Sequence, residues 1–172
     1  MTDGLQVGDV YGATIERIQA QEGDQSTLGM PALIWISHAE RPLQADELCH
    51  ALAVELGSKD LNAGNVPSIS TVVSCCQGLV ILDKEASVVQ LIHFTLKEYI
   101  SAHHDIFSRP QAVIAEICLT YLNSNQVKAL APYPSSNPRE TIFLEYCSLL
   151  AHSKSIRMPS RALAPSFLPT LW

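Results

Sequence analysis

The chain has 172 residues, 47% hydrophobic and 16% charged, with a mean hydropathy of +0.14. That much apolar surface can offset the entropy of ordering a chain, which excludes disorder over most of the length. Eleven Lys and Arg against seventeen Asp and Glu leave a net charge of −6, an acidic balance that argues against a general nucleic-acid binder.

In chain order, Tyr11, Ile15 and Ile18 recur at helical spacing and predict an amphipathic helix over Val10–Gln21. Leu28, Met30, Leu33, Ile34 and Ile36 predict a second, strongly apolar helix to about Ala39, with Pro31 in or just after its first turn, where a missing N–H is tolerated. Arg41-Pro42-Leu43 ends it. Leu48, Leu52 and Leu56 predict a third helix closed by Gly57. After a polar loop, Ser68 caps a short fourth helix, Ile69–Gln77, which Gly78 terminates. The pattern then changes to two β-rich runs, Leu79–Leu82 and Val88–Ile92, joined by the five residues Asp83 to Ser87 as a hairpin. The helical period resumes through Leu96, Tyr99 and Ile100, and a His103-His104-Asp105 turn follows. Further helices are predicted from about Pro110 to Leu122 and over Thr141–His152, with a loop at Pro132, Pro134 and Pro138 between them.

Short helices, a hairpin and more helices predict a mainly α fold, a winged helix-turn-helix followed by a helical extension. The expected division is a linker remnant at 1–9, a winged-helix domain at 10–104, an extension at 105–152 and a divergent, disordered tail at 153–172. Charge follows the same division. Residues 1–152 carry eight basic and seventeen acidic side chains, whereas the last twenty carry Lys154, Arg157 and Arg161 and no acid.

Cys49, Cys75, Cys76, Cys118 and Cys147 form no C-x-x-C and no even framework, which fits a reducing compartment. The start Met1-Thr2-Asp3-Gly4 lacks the pattern of a secretory leader, and the longest uncharged stretch, Leu61 to Leu82, is too polar to span a bilayer. A cytoplasmic protein without membrane contact is expected.

Six ordered motifs carry a resemblance. They are Tyr11 with Ile15-Glu16-Arg17-Ile18, Leu33-Ile34-Trp35-Ile36-Ser37-His38-Ala39-Glu40-Arg41-Pro42-Leu43, Asp46-Glu47-Leu48-Cys49-His50-Ala51-Leu52-Ala53, Cys75-Cys76-Gln77-Gly78-Leu79-Val80, Leu91-Ile92-His93-Phe94-Thr95-Leu96-Lys97-Glu98-Tyr99-Ile100, and Cys118-Leu119-Thr120-Tyr121-Leu122. Over about residues 8–152 the chain resembles the winged-helix segment that follows the nucleotide-binding domain of fungal NACHT–ankyrin proteins, a segment also named after GPI inositol-deacylase. The resemblance implies a large multidomain NTPase switch built of an effector, a NACHT domain, the winged helix and repeats. The chain departs from that pattern in having no G-x-x-x-x-G-K-[ST] loop and no ankyrin repeats, and in lacking an aromatic-Trp-Gly element before His152. It is expected to be a fragment, a truncated copy or a splice form without cofactor of its own, ADP or ATP belonging to the parent protein.

The resemblance also implies a role for His93. In related switches a His that closes the second wing strand and opens a helix contacts the β-phosphate of ADP and locks the off state, and His93 occupies that place. An imidazole N–H can reach a phosphate oxygen. The plainer alternative is a His that caps local backbone. The expected partner is a NACHT domain, in cis or in trans.

DNA binding would place the helix before the wing in the major groove. Ser68 to Gly78 contains no Lys or Arg, and Lys84 in the wing stands between Asp83 and Glu85, so nucleic acid is not an expected partner. A hydrolase remnant is the other alternative, but no G-x-S-x-G elbow is present, and the chain is expected to be non-enzymatic. His103-His104-Asp105 reads as an exposed turn rather than a metal pair. Of Cys75 and Cys76, one is expected in the core and the other partly exposed. Trp35 is expected in the core, and Arg41 as the partner of Glu47 in a surface pair of little energetic weight. Phe94, Leu96, Tyr99 and Ile100 are expected to pack their helix onto the sheet, or else to form a docking face for NACHT.

Overall fold

Ile15 and Ile18 lie about one turn apart on α1 (Val7–Gln19), and both are buried, so the face predicted from their spacing is the face that meets the core. The computed structural model describes residues 7–130 and 138–152. The loop prolines Pro132 and Pro134, the tail and most of the linker therefore lie outside the described residues.

Helix α2 (Asp24–His38) begins four residues earlier than its apolar run, which puts Pro31 in the helix interior rather than the first turn. An interior proline costs about 3 kcal/mol through its missing N–H. Burial of Leu33 and Trp35, each fully enclosed, contributes about 1.5–3 kcal/mol per large side chain and outweighs it. Gly29 makes α2 central. A Cβ there would lie 2.6 Å from the Ile18 side chain and 2.9 Å from the Cys75 carbonyl oxygen, so only glycine lets three helices meet at this point.

Helix α3 (Ala45–Leu52) is opened by a capping box, in which Gln44 and Glu47 exchange side-chain and backbone hydrogen bonds. It stops at Leu52 instead of reaching Leu56. The Ala53 N–H is shared between the Cys49 and His50 carbonyls, which tightens the last turn, and Val54 and Leu56 reach the core from a loop. Helix α4 (Ile69–Cys75) is capped as predicted, the Ser68 hydroxyl accepting from the Thr71 N–H at 3.2 Å.

Strands β2 (Val80–Asp83) and β3 (Val88–Leu91) form the antiparallel hairpin, Val80 opposite Leu91 and Asp83 opposite Val88. The Asp83 carboxylate accepts from the N–H groups of Glu85 and Ala86 and shapes the turn. A two-residue strand, β1 (Leu43–Gln44), also pairs with β3, giving the order β1-β3-β2. Leu43, Val80 and Val89 face inward, while Gln44, Ile81 and Gln90 face out.

Helix α5 (Phe94–Ala102) leaves the sheet, and α6 (Pro110–Asn123) starts with proline at its first position. Helix α7 (Asn125–Leu130), not predicted, is started by buried Ser124, whose hydroxyl donates to the Tyr121 carbonyl and accepts from the Val127 N–H. The last helix, α8 (Pro138–His152), is three residues longer at its start than predicted.

The core runs unbroken from the wing into the extension. Trp35 meets Phe143 and Tyr146 edge-on at 5.7 and 5.8 Å, and Tyr121 meets Phe143 at 4.9 Å. Arg41 and Glu47 close this seam with two hydrogen bonds of 2.8 and 2.6 Å, and the Arg41 guanidinium lies 5.1 Å from the Tyr146 ring centre. Glu47 is buried, so the pair is not the surface pair expected. All five cysteines are free and buried. That includes both Cys75 and Cys76, because α4 ends between them. Cys76 turns under α2 toward the Gly29 carbonyl, while the Cys75 carbonyl accepts from the Gln21 amide.

Candidate functional site at the β3–α5 corner

His93 links β3 to α5 in extended backbone, φ −153° and ψ 148°, and occupies the N-cap position of α5. Its Nδ1 accepts from the Thr95 N–H at 3.3 Å and lies 2.8 Å from the Thr95 hydroxyl. The capping alternative for this residue is therefore realised. Capping uses one ring nitrogen only, and His93 as a whole remains exposed.

The neighbours of His93 are apolar and turned outward. Ile92 is 48% exposed and Phe94 67%, with the His93 and Phe94 rings 4.6 Å apart. The expectation that Phe94 packs with Leu96, Tyr99 and Ile100 fails for a geometric reason. At about 100° per residue, Phe94 lies roughly 200° around the helix from Leu96. Leu96 and Ile100 are buried one turn apart, and Tyr99 packs edge-on against Tyr11 at 5.7 Å. The Tyr99 ring lies over α1 at Gly12, where a Cβ would come within 2.8 Å of its hydroxyl.

Sequence reasoning missed two members of this corner. The Tyr11 hydroxyl lies 2.9 Å from the Thr95 hydroxyl and joins α1 to the start of α5. Thr95 could have been found as a hydroxyl two residues after a capping His, but Tyr11 is 84 residues away and carries no local signal.

Elsewhere the surfaces are plain. The exposed side chains of α4 include Ser70, Thr71 and Ser74, and the hydroxyls of Ser70 and Thr71 bond to Ser68. His103 stacks on Tyr99 at 4.0 Å, and its Nδ1 lies 2.8 Å from the Tyr99 carbonyl. Among the described residues no three His, Cys, Asp or Glu side chains converge as a metal site, and no helix is long and apolar enough to cross a membrane.

Three helices packed through α2, a hairpin after α4 and a short third strand beside it define a winged helix. A family model for the GPI inositol-deacylase winged helix domain matches residues 18–108. The chain belongs to that winged-helix family. Comparisons with curated proteins and with solved structures gave no match.

Proposed function

We propose that the chain is a non-enzymatic packing and regulatory module of a NACHT-type nucleotide switch. In this reading it presses the β3–α5 corner against the nucleotide-binding domain in the ADP state and swings away on exchange, a rigid-body change between two states. The observation that carries it is the outward placement of Ile92 and Phe94 on either side of His93. Adjacent exposed apolar side chains beside a polar group fit a protein contact better than open solvent. His93 would donate from Nε2 to an ADP phosphate held by the partner, at the positive end of the α5 dipole.

The winged-helix alternative, DNA recognition, has little support, since α4 presents hydroxyls and no cation. The hydrolase alternative has the family's name in its favour but no nucleophile placed by a motif. The NACHT domain would act in cis in a longer protein or in trans, in the reducing cytoplasm.

Mixing the chain with a separately expressed NACHT domain should slow release of ADP. His93→Ala should reverse that effect while leaving the fold intact. Equal ADP release with the two proteins would sink the assignment.

A further inference from the structure

We infer that Thr95 and Tyr11 are positioning residues for His93: the Thr95 N–H fixes the tautomer that carries the proton on Nε2, and the Thr95 and Tyr11 hydroxyls tie the ring to the seat of α1 against α5. The inference begins from proton counting. A backbone N–H is always a donor, so the bond from the Thr95 N–H requires a lone pair on His93 Nδ1. A neutral ring with Nδ1 bare carries its proton on Nε2. The Thr95 hydroxyl, 2.8 Å from the same nitrogen, must then donate as well, because Nδ1 has no proton to give. A hydroxyl has one proton. With it committed to His93, the Thr95 oxygen is an acceptor toward Tyr11, and the Tyr11 hydroxyl at 2.9 Å is the donor. The direction of every bond in the chain Tyr11 to Thr95 to His93 follows from the one backbone N–H.

The opposite tautomer would lose the backbone bond and reverse the two hydroxyl bonds. An Nδ1–H would face the Thr95 N–H and leave the α5 cap unmade, and it would turn the Thr95 hydroxyl toward Tyr11. The tautomer is thus set by the backbone N–H, and the ring that carries the outward Nε2–H is steadied, through the Thr95 hydroxyl, by a residue on another helix. If α1 moves from α5, Tyr11 leaves, the Thr95 hydroxyl is freed to rotate, and the ring loses one of the two bonds that orient it. Use of the Nε2–H on a phosphate rests on the function proposed above, whereas the tautomer does not.

Long-range proton–nitrogen NMR on the full chain, at a pH well above the imidazole range, reads the tautomer of His93 directly and needs no nucleotide. The wild type should show Nε2–H. Thr95→Val keeps the backbone N–H and the branched shape but removes the hydroxyl, so it should keep the Nε2–H tautomer while shifting the Nδ1 resonance toward that of a nitrogen that accepts one bond instead of two. Tyr11→Phe should move that resonance less in the same direction, and Thr95→Ser should return it to the wild-type position. A wild-type ring in the Nδ1–H form overturns the inference. So does a His93 signal unchanged in both Thr95→Val and Tyr11→Phe. Should Thr95→Val fail to fold, the comparison of Tyr11→Phe with Thr95→Ser decides. A ring signal that responds while ADP release ignores His93→Ala would leave the positioning standing and remove the phosphate role.

Discussion

The seam between α3 and α8 and the corner between β3 and α5 are built from related materials, apolar and aromatic side chains beside a residue with a side-chain N–H donor. At the seam, Trp35, Phe143 and Tyr146 enclose one another, and Arg41 is clasped by buried Glu47. At the corner, Ile92 and Phe94 stand in solvent beside His93. The extension helices supply the seam with a partner from within the chain, and nothing described supplies one to the corner. The difference shows that exposure at the corner is not a shortage of core. The chain closes its apolar surface where helices can reach it, and the helical phase of Phe94 keeps that ring out of the same closure.

The contrast can be broken most forcefully at the seam. Trp35→Ala should lower stability by about 3–5 kcal/mol, the usual cost of emptying a filled aromatic site, and urea unfolding measures it. A loss near zero would mean that α8 does not close on α2 in solution. Glu47→Gln should cost about 1.5–3 kcal/mol, because it leaves Arg41 without its charged acceptor and weakens the α3 capping box; the melting temperature tracks it. Phe94→Ser should change stability by no more than about 0.5 kcal/mol, since the ring is two-thirds exposed. It should nonetheless weaken association with a NACHT domain in a binding titration. A large stability loss there would show that the ring is held by the chain itself, and the comparison would collapse.

Much of the fold was legible where periodicity and punctuation agreed. Ser68 and Gly78 bracket α4, the switch from a helical period to alternation marks the hairpin, and Leu96 with Ile100 announces α5. Strand β1 was not legible, because two residues after a proline carry no alternation and exist as a strand only through β3. Helix α7 was hidden by its polar residues. Asn125 and Gln126 are held by the loop at Lys59 to Leu61, through the Lys59 carbonyl and the backbone of Leu61. The place of His93 could be read from its neighbours in sequence. Its orientation could not, since that depends on Tyr11 from the other end of the domain. The Arg41–Glu47 pair was foreseen, but its depth was not, because burial there is created by α8.

The five free thiols have a consequence for how the molecule could be watched in motion. Burial pushes Cys49 up to about 11 and Cys76 up to about 12, so the attacking thiolate is scarce there while the fold is closed. The cysteines are spread over α3, the end of α4, α6 and α8. An alkylating reagent would therefore find each sulfur only when its own element lets go, and the order of reaction would time-stamp the sequence in which the domain comes apart.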